Sequence, residues 1–122
     1  MPRPVHFEIS ADDPERLASF YSGVFGWSVQ KWEGPQDYWL IKTGETGTPG
    51  IDGGMTRRNP GPAGTVNTID VPSVDEFVEK VTSGGGTVAL PKMAVPGVGW
   101  LAYCVDPEGT LFGMMQADPS AK

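Results

Sequence analysis

The segment spanning residues 7–27 opens with an alternating stretch, FEIS, and passes through the polar corner ADD. Apolar residues then recur every three or four positions, at Leu17, Phe20, Tyr21 and Val24. Alternation is the period of a strand and three-to-four spacing that of a helix, so a strand followed by an amphipathic helix is expected. Asp12 and Glu15 stand three apart at the start of this helix, with Pro14 in its first turn and Gly23 and Gly26 at its end; these are start and stop signals. Residues 67–87 repeat the pattern. Val74, Phe77, Val78 and Val81 have helical spacing, Ser73 and Glu76 form an S-x-x-E capping box, and Gly84, Gly85 and Gly86 follow. Three short β-like runs separated by turn residues come after each helix: 27–32, 38–42 and 51–57, then 87–90, 99–105 and 110–116.

The two halves match at an offset of 60: Ile9 with Ile69, Leu17 with Phe77, Tyr21 with Val81, Gly26 with Gly86. Two copies of one supersecondary unit are therefore expected. The order is strand, helix, three strands, twice over. This predicts an α+β fold of two tandem βαβββ modules, 3–60 and 65–116, with a Gly-Pro-Ala-Gly linker at 61–64 and a tail at 117–122. A length of 122 residues suits a single domain. The last run, DPEGTLFGMMQ, places Asp106, Pro107 and Gly109 as a type I turn requires. It then interrupts an apolar strand with Gly113, where glycine signals a bend, a bulge or a close approach.

The doubled βαβββ order, HFEISADDPERLASFYSGVFGW near the start and DPEGTLFG near the end resemble the vicinal oxygen chelate superfamily. That group includes glyoxalase I, extradiol dioxygenases, and fosfomycin- and bleomycin-resistance proteins. The resemblance runs from Val5 to Gln116. It implies curved half-barrel sheets with helices outside, a site formed when two modules join, and commonly a dimer; a homodimer is the expectation here. In metal-dependent members the opening strand of a module supplies a His and the closing strand a Glu. The matching positions in this chain are His6 and Val66 on the opening strands, and Gly54 and Gly113 on the closing ones. Only His6 has a side chain able to bind a divalent ion, whereas a catalytic site of the zinc type needs about three protein ligands. The resemblance therefore predicts no metal and no cofactor. Glycine at 54 and 113 is compatible both with a cavity at the lost carboxylates and with curvature of the sheet.

Alternation along the first strand sets His6, Glu8 and Ser10 on the face opposite Phe7 and Ile9. His6, the only histidine, and Glu8 are the candidate catalytic pair, for acid–base work or ligand anchoring. The competing reading is a hydrogen-bonded pair that plugs the sheet. Trp39 and Trp100, with Met55 and Met114 flanking Gly54 and Gly113, are the candidate ligand-binding set, since aromatic and thioether groups suit flat apolar ligands. Trp27, just after a helix end, is expected in the core. The Pro- and Gly-containing stretch 91–100 reads as a loop long enough to cover a site.

A net charge of −6 and a pI near 4.6 argue against nucleic acid as a partner and favour a cationic one. Cys104 is the only cysteine and lies in the apolar run WLAYCV, so no internal disulfide forms and a core position is expected. No apolar segment has the length of a membrane span, so a cytoplasmic protein without membrane contact is expected. Among functions, the leading expectation is metal-free binding of a small aromatic or amphipathic molecule. The alternatives are a superfamily enzyme of lyase or dioxygenase type working through His6 and Glu8, and an auxiliary interaction domain. The sequence leaves open whether any reaction is catalysed.

Overall fold

The structure is a computed structural model that describes residues 2–34, 37–57 and 64–122. Its elements are β1 (Arg3–Ala11), α1 (Pro14–Phe25), β2 (Ser28–Lys31), β3 (Tyr38–Lys42), β4 (Asp52–Arg57), β5 (Gly64–Asp70), α2 (Val74–Ser83), β6 (Thr87–Val95), β7 (Gly99–Val105) and β8 (Leu111–Ala117). This is the α+β, twice-repeated βαβββ order that the sequence predicts. Two compact units result, residues 6–65 and residues 66–122 together with 1–5.

In the unit of residues 6–65 the strand order is β2-β3-β4-β1. β1 and β4 are parallel and the other neighbours antiparallel. The helix starts at Asp13, whose carboxylate accepts the Arg16 amide at 3.2 Å. The spacing had pointed to Asp12. Pro14 decides the matter: it favours the first helical position, so the cap falls on the residue before it. Gly26 ends the helix at φ +75°, and its N–H reaches the Ser22 carbonyl at 2.9 Å. One face of the sheet is apolar, with Ile9, Ala11, Trp39, Ile41 and Met55 buried together. Leu17 and Tyr21 of α1 pack on this cluster with Phe7, Trp27 and Val29. Trp27 stacks on Tyr21 with ring centroids 4.9 Å apart.

The second unit repeats the plan as β5-β8-β7-β6, with β5 and β8 parallel. Ser73 caps α2 by accepting the Glu76 amide at 3.2 Å, as the capping-box pattern predicts. Val71, Val74, Ala102, Cys104 and Met114 form the core, and Phe77, Val78 and Val81 of α2 cover it. Burial pushes the Cys104 thiol up, which suits a core residue and not a nucleophile. The Asp106 turn forms as read: Asp106 Oδ1 accepts the amides of Glu108 and Thr110 at 2.9 and 3.0 Å, and the Gly109 N–H closes on the Asp106 carbonyl at 3.0 Å.

The stretch expected as a covering loop, 91–100, is mostly strand. β6 runs through Pro91 to Val95 and pairs with β7, with register shifts between Val88 and Leu90 and between Leu90 and Met93. Proline has no N–H to give, but β6 is the outermost strand in its order; an edge with irregular pairing tolerates the loss. Of the linker expected at 61–64, residues 61–63 lie outside the described residues, and Gly64 opens β5.

Candidate functional site

The strand pairings of the first unit fix which side chains share a face. Glu8 lies opposite Gly54 and His6 opposite Asp52 across β1 and β4, while Gly54 faces Leu40 and Thr56 faces Tyr38 across β4 and β3. Since Ile9, Met55, Trp39 and Ile41 point into the core beneath α1, alternation sends His6, Glu8, Gly54 and Tyr38 to the opposite face. Two of these are hydrogen-bonded and a third acts on them. His6 Nε2 lies 2.9 Å from the Tyr38 hydroxyl, and the charge of Glu8 acts on the same hydroxyl. Trp32 meets Tyr38 edge-to-face, with centroids 6.3 Å apart.

His6 and Tyr38 carry the mark of this setting. Burial holds His6 below its ordinary value, against a smaller opposite pull from the Asp52 carboxylate. Burial also raises the Tyr38 phenol strongly, helped by the charge of Glu8 and by its hydrogen bond. At neutral pH the imidazole is therefore neutral and the phenol intact.

Gly54 explains how the phenol reaches this position. A Cβ at residue 54 would collide with the Tyr38 hydroxyl and ring carbon Cζ. The missing side chain thus leaves neither an empty cavity nor a mere bend; its space belongs to Tyr38. Gly113 plays a looser version of the same part in the second unit. It pairs with Thr68 on β5 and Tyr103 on β7, and a Cβ there would lie 3.3 Å from both Thr68 Oγ1 and Tyr103 Cε1.

The metal implied by the superfamily resemblance can be tested against these side chains. Nε2 of His6 is engaged by Tyr38, Gly54 and Gly113 bring no donor, and aromatic rings border the places where carboxylates would begin. Among the described residues no three His, Cys, Asp or Glu side chains gather as a metal set. The donors present do not fit a divalent ion.

The structure brings His6 and Glu8 together through Tyr38, a residue that the sequence reading passed over. Its signal was available, for Tyr38 neighbours Trp39 on one strand and must face the other way. The ligand-binding candidates separate. Trp39, Met55 and Met114 are core residues, because alternation puts them on the helix-covered side of their sheets. Trp100 packs against the second core, donates from Nε1 to Asp118 at 3.0 Å and carries Lys92 Nζ 4.7 Å from its ring centroid. Surface hollows of about 350 and 430 Å³ lie elsewhere, beside Asp70 and Gln116 and beside Asp13 and Arg16. Neither includes His6, Glu8 or Tyr38. No helix among the described residues is long and apolar enough to cross a membrane.

The same chain architecture is found among known proteins. The family model described as a glyoxalase-like domain matches residues 6–115. Two curated mycobacterial relatives, from Mycobacterium bovis and Mycobacterium tuberculosis, are named "Putative glyoxylase CFP32". They are 28% identical over 120 residues, covering 94% of this chain and 46% of theirs, so the chain spans about half of their length. Among solved structures, methylmalonyl-CoA epimerase from Mycobacterium tuberculosis superposes with a TM-score of 0.72 at 12% identity, covering 95% of this chain and 88% of its own. A glyoxalase/bleomycin resistance protein/dioxygenase superfamily member from Vibrio splendidus 12B01 gives 0.65 at 21% identity, covering 95% and 99%. At these identities the two structures testify to the fold alone.

Proposed function

The chain belongs to the glyoxalase-like domain family of the vicinal oxygen chelate superfamily, and on that premise we propose that it binds a small molecule without a metal ion. The ligand is taken on the sheet face opposite α1, with His6, Tyr38 and Glu8 as its polar anchor. One observation carries this reading: the Tyr38 hydroxyl fills the space over Gly54 and at the same time engages His6 Nε2. A place where superfamily members hold an ion has become a hydrogen-bonded polar centre on a sheet that also exposes Leu40. Small-molecule sites of this kind combine apolar surface with a few fixed polar groups.

The test is elemental analysis of the purified protein beside thermal shifts with Zn²⁺, Ni²⁺, Mn²⁺ and Fe²⁺. A ligand specific for the native state raises the melting temperature. The expected result is substoichiometric metal and no shift that depends on His6. A stoichiometric ion whose stabilisation disappears in His6→Gln would overturn the reading.

A second reading, proton transfer on a bound substrate by His6 and Glu8, is favoured by an imidazole and a carboxylate that both act on the Tyr38 hydroxyl. Activity lost in both His6→Gln and Glu8→Gln while ligand affinity persists would establish it. The assembly we propose is a homodimer, the commonest closed oligomer.

A further inference from the structure

Of the two glycines that the sequence offers as stop signals for α1, only one acts as such. Gly26 takes the left-handed conformation at φ +75° and ends the helix. Gly23 lies inside α1, and its φ is not positive. Glycine within a helix is less stable than alanine, because it has more backbone freedom to lose. Crowding does not demand it either. Beyond its own stretch of helix, a Cβ at residue 23 would meet no described atom within 4 Å. Among the described residues nothing calls for glycine here.

The surface around Gly23 is just as unaccounted for. Leu17 and Tyr21 turn inward to the core, whereas Arg16, Ser19, Phe20, Gly23 and Val24 are exposed. Phe20 and Val24, one turn apart, leave 54% and 57% of their surface open. The Phe20 ring is nevertheless held in place: it meets Tyr21 edge-to-face at 5.2 Å, and Tyr21 in turn stacks on Trp27. Arg16, Phe20 and Gly23 follow one another at spacings of four and three, the spacing of a seam along which two helices pack. One helix thus carries a fixed apolar projection and, a turn further on, a recess.

We propose that α1 is the self-association surface of this chain, with a second copy laying its own α1 antiparallel on the stripe about a two-fold axis between Phe20 and Gly23. A two-fold contact pairs each position with its counterpart twice over. Phe20 of each copy then enters the recess at Gly23 of the other, and Val24 of each lies against the small Ser19 of the other. Large meets small in every layer, as close helix packing requires. An unrelated helix would need only the projection or only the recess, whereas a copy needs both on one stripe. Charge agrees with the antiparallel direction. Arg16 of each copy comes beside the C-terminal end of the other α1, where unpaired carbonyls are partly negative and the last turn has no basic residue of its own. The inference rests on the reading that the chain is a homodimer and adds the face through which it pairs.

The test is the mass of the full chain by light scattering, with dissociation constants from sedimentation. The wild type is expected at twice 13.0 kDa. Gly23→Gln places a good helix former where the chain itself leaves room, so circular dichroism should show an intact fold. Its side chain fills the recess, and the dissociation constant should rise about tenfold or more. Gly23→Phe sets ring against ring and should run at the chain mass. Adding Phe20→Ala to Gly23→Phe exchanges projection and recess, and should restore the double mass. A wild type at the chain mass refutes the homodimer reading and this inference with it. A wild-type dimer that Gly23→Gln leaves intact, or a Gly23→Phe monomer that Phe20→Ala does not rescue, overturns this inference alone and moves the dimer contact to another face.

Discussion

Tyr38 holds its hydroxyl where a side chain at residue 54 would begin, so the two positions must respond to mutation together. In Gly54→Ala the ring, free to swing at its far end, moves in preference to the strand and gives up its bond to His6. The expected cost is about 1–3 kcal/mol, that of a lost part-buried hydrogen bond. In Tyr38→Phe that bond is already gone, so the same glycine replacement costs less. A coupling of roughly 0.5–3 kcal/mol is expected from denaturant unfolding of the four proteins. Strict additivity would mean that the ring and residue 54 do not meet. His6 sets a pH dependence of its own. Its folded-state value lies below the ordinary 6.5, so between those two values the unfolded chain binds more protons than the native one. Stability is complete above about pH 6.5 and falls as pH drops from there through the folded value. Melting temperatures from pH 7.5 to 5 should show this slope flattened in His6→Gln.

At the scale of elements, the two helices start by the same device with different residues. Asp13 and Ser73 each accept the amide three residues on, at 3.2 Å in both cases. Replacing either by Ala should cost about 0.5–2 kcal/mol, read as a lower denaturant midpoint at unchanged slope. For α1 this places the loss at Asp13, one residue later than the capping-box spacing suggests, because Pro14 takes the first helical position. Strand β6 shows the opposite relation between sequence and element. Pro91 and nearby turn-formers read as a loop, yet pairing with β7 carries the strand past them. An edge strand needs partners on one side only, so the missing N–H of Pro91 costs little.

For the molecule as a whole, the proposed homodimer predicts gel-filtration and light-scattering masses near twice the 13.0 kDa of the chain. A compact species at the chain mass would refute it. What the sequence determined by itself is what local periodicity and short-range chemistry control. The three-to-four spacing around Leu17 and Phe77, the glycine stops, the Asp106 turn and the 60-residue offset specified both helices, most strands and the doubled βαβββ order. Alternation also put His6 and Glu8 on one face and Phe7 and Ile9 on the other. The meeting of Tyr38 with Gly54 was not legible, since it depends on the register between β3 and β4, which are ten residues of chain apart and pair across a diagonal. That Trp39, Met55 and Met114 lie in the cores was not legible for a related reason. Their residue types suit a ligand as well as a core, and only the side on which α1 and α2 pack decides between the two. Tertiary structure alone placed a phenol where the sequence showed an absence, because a glycine states that room exists and leaves to the fold what fills it.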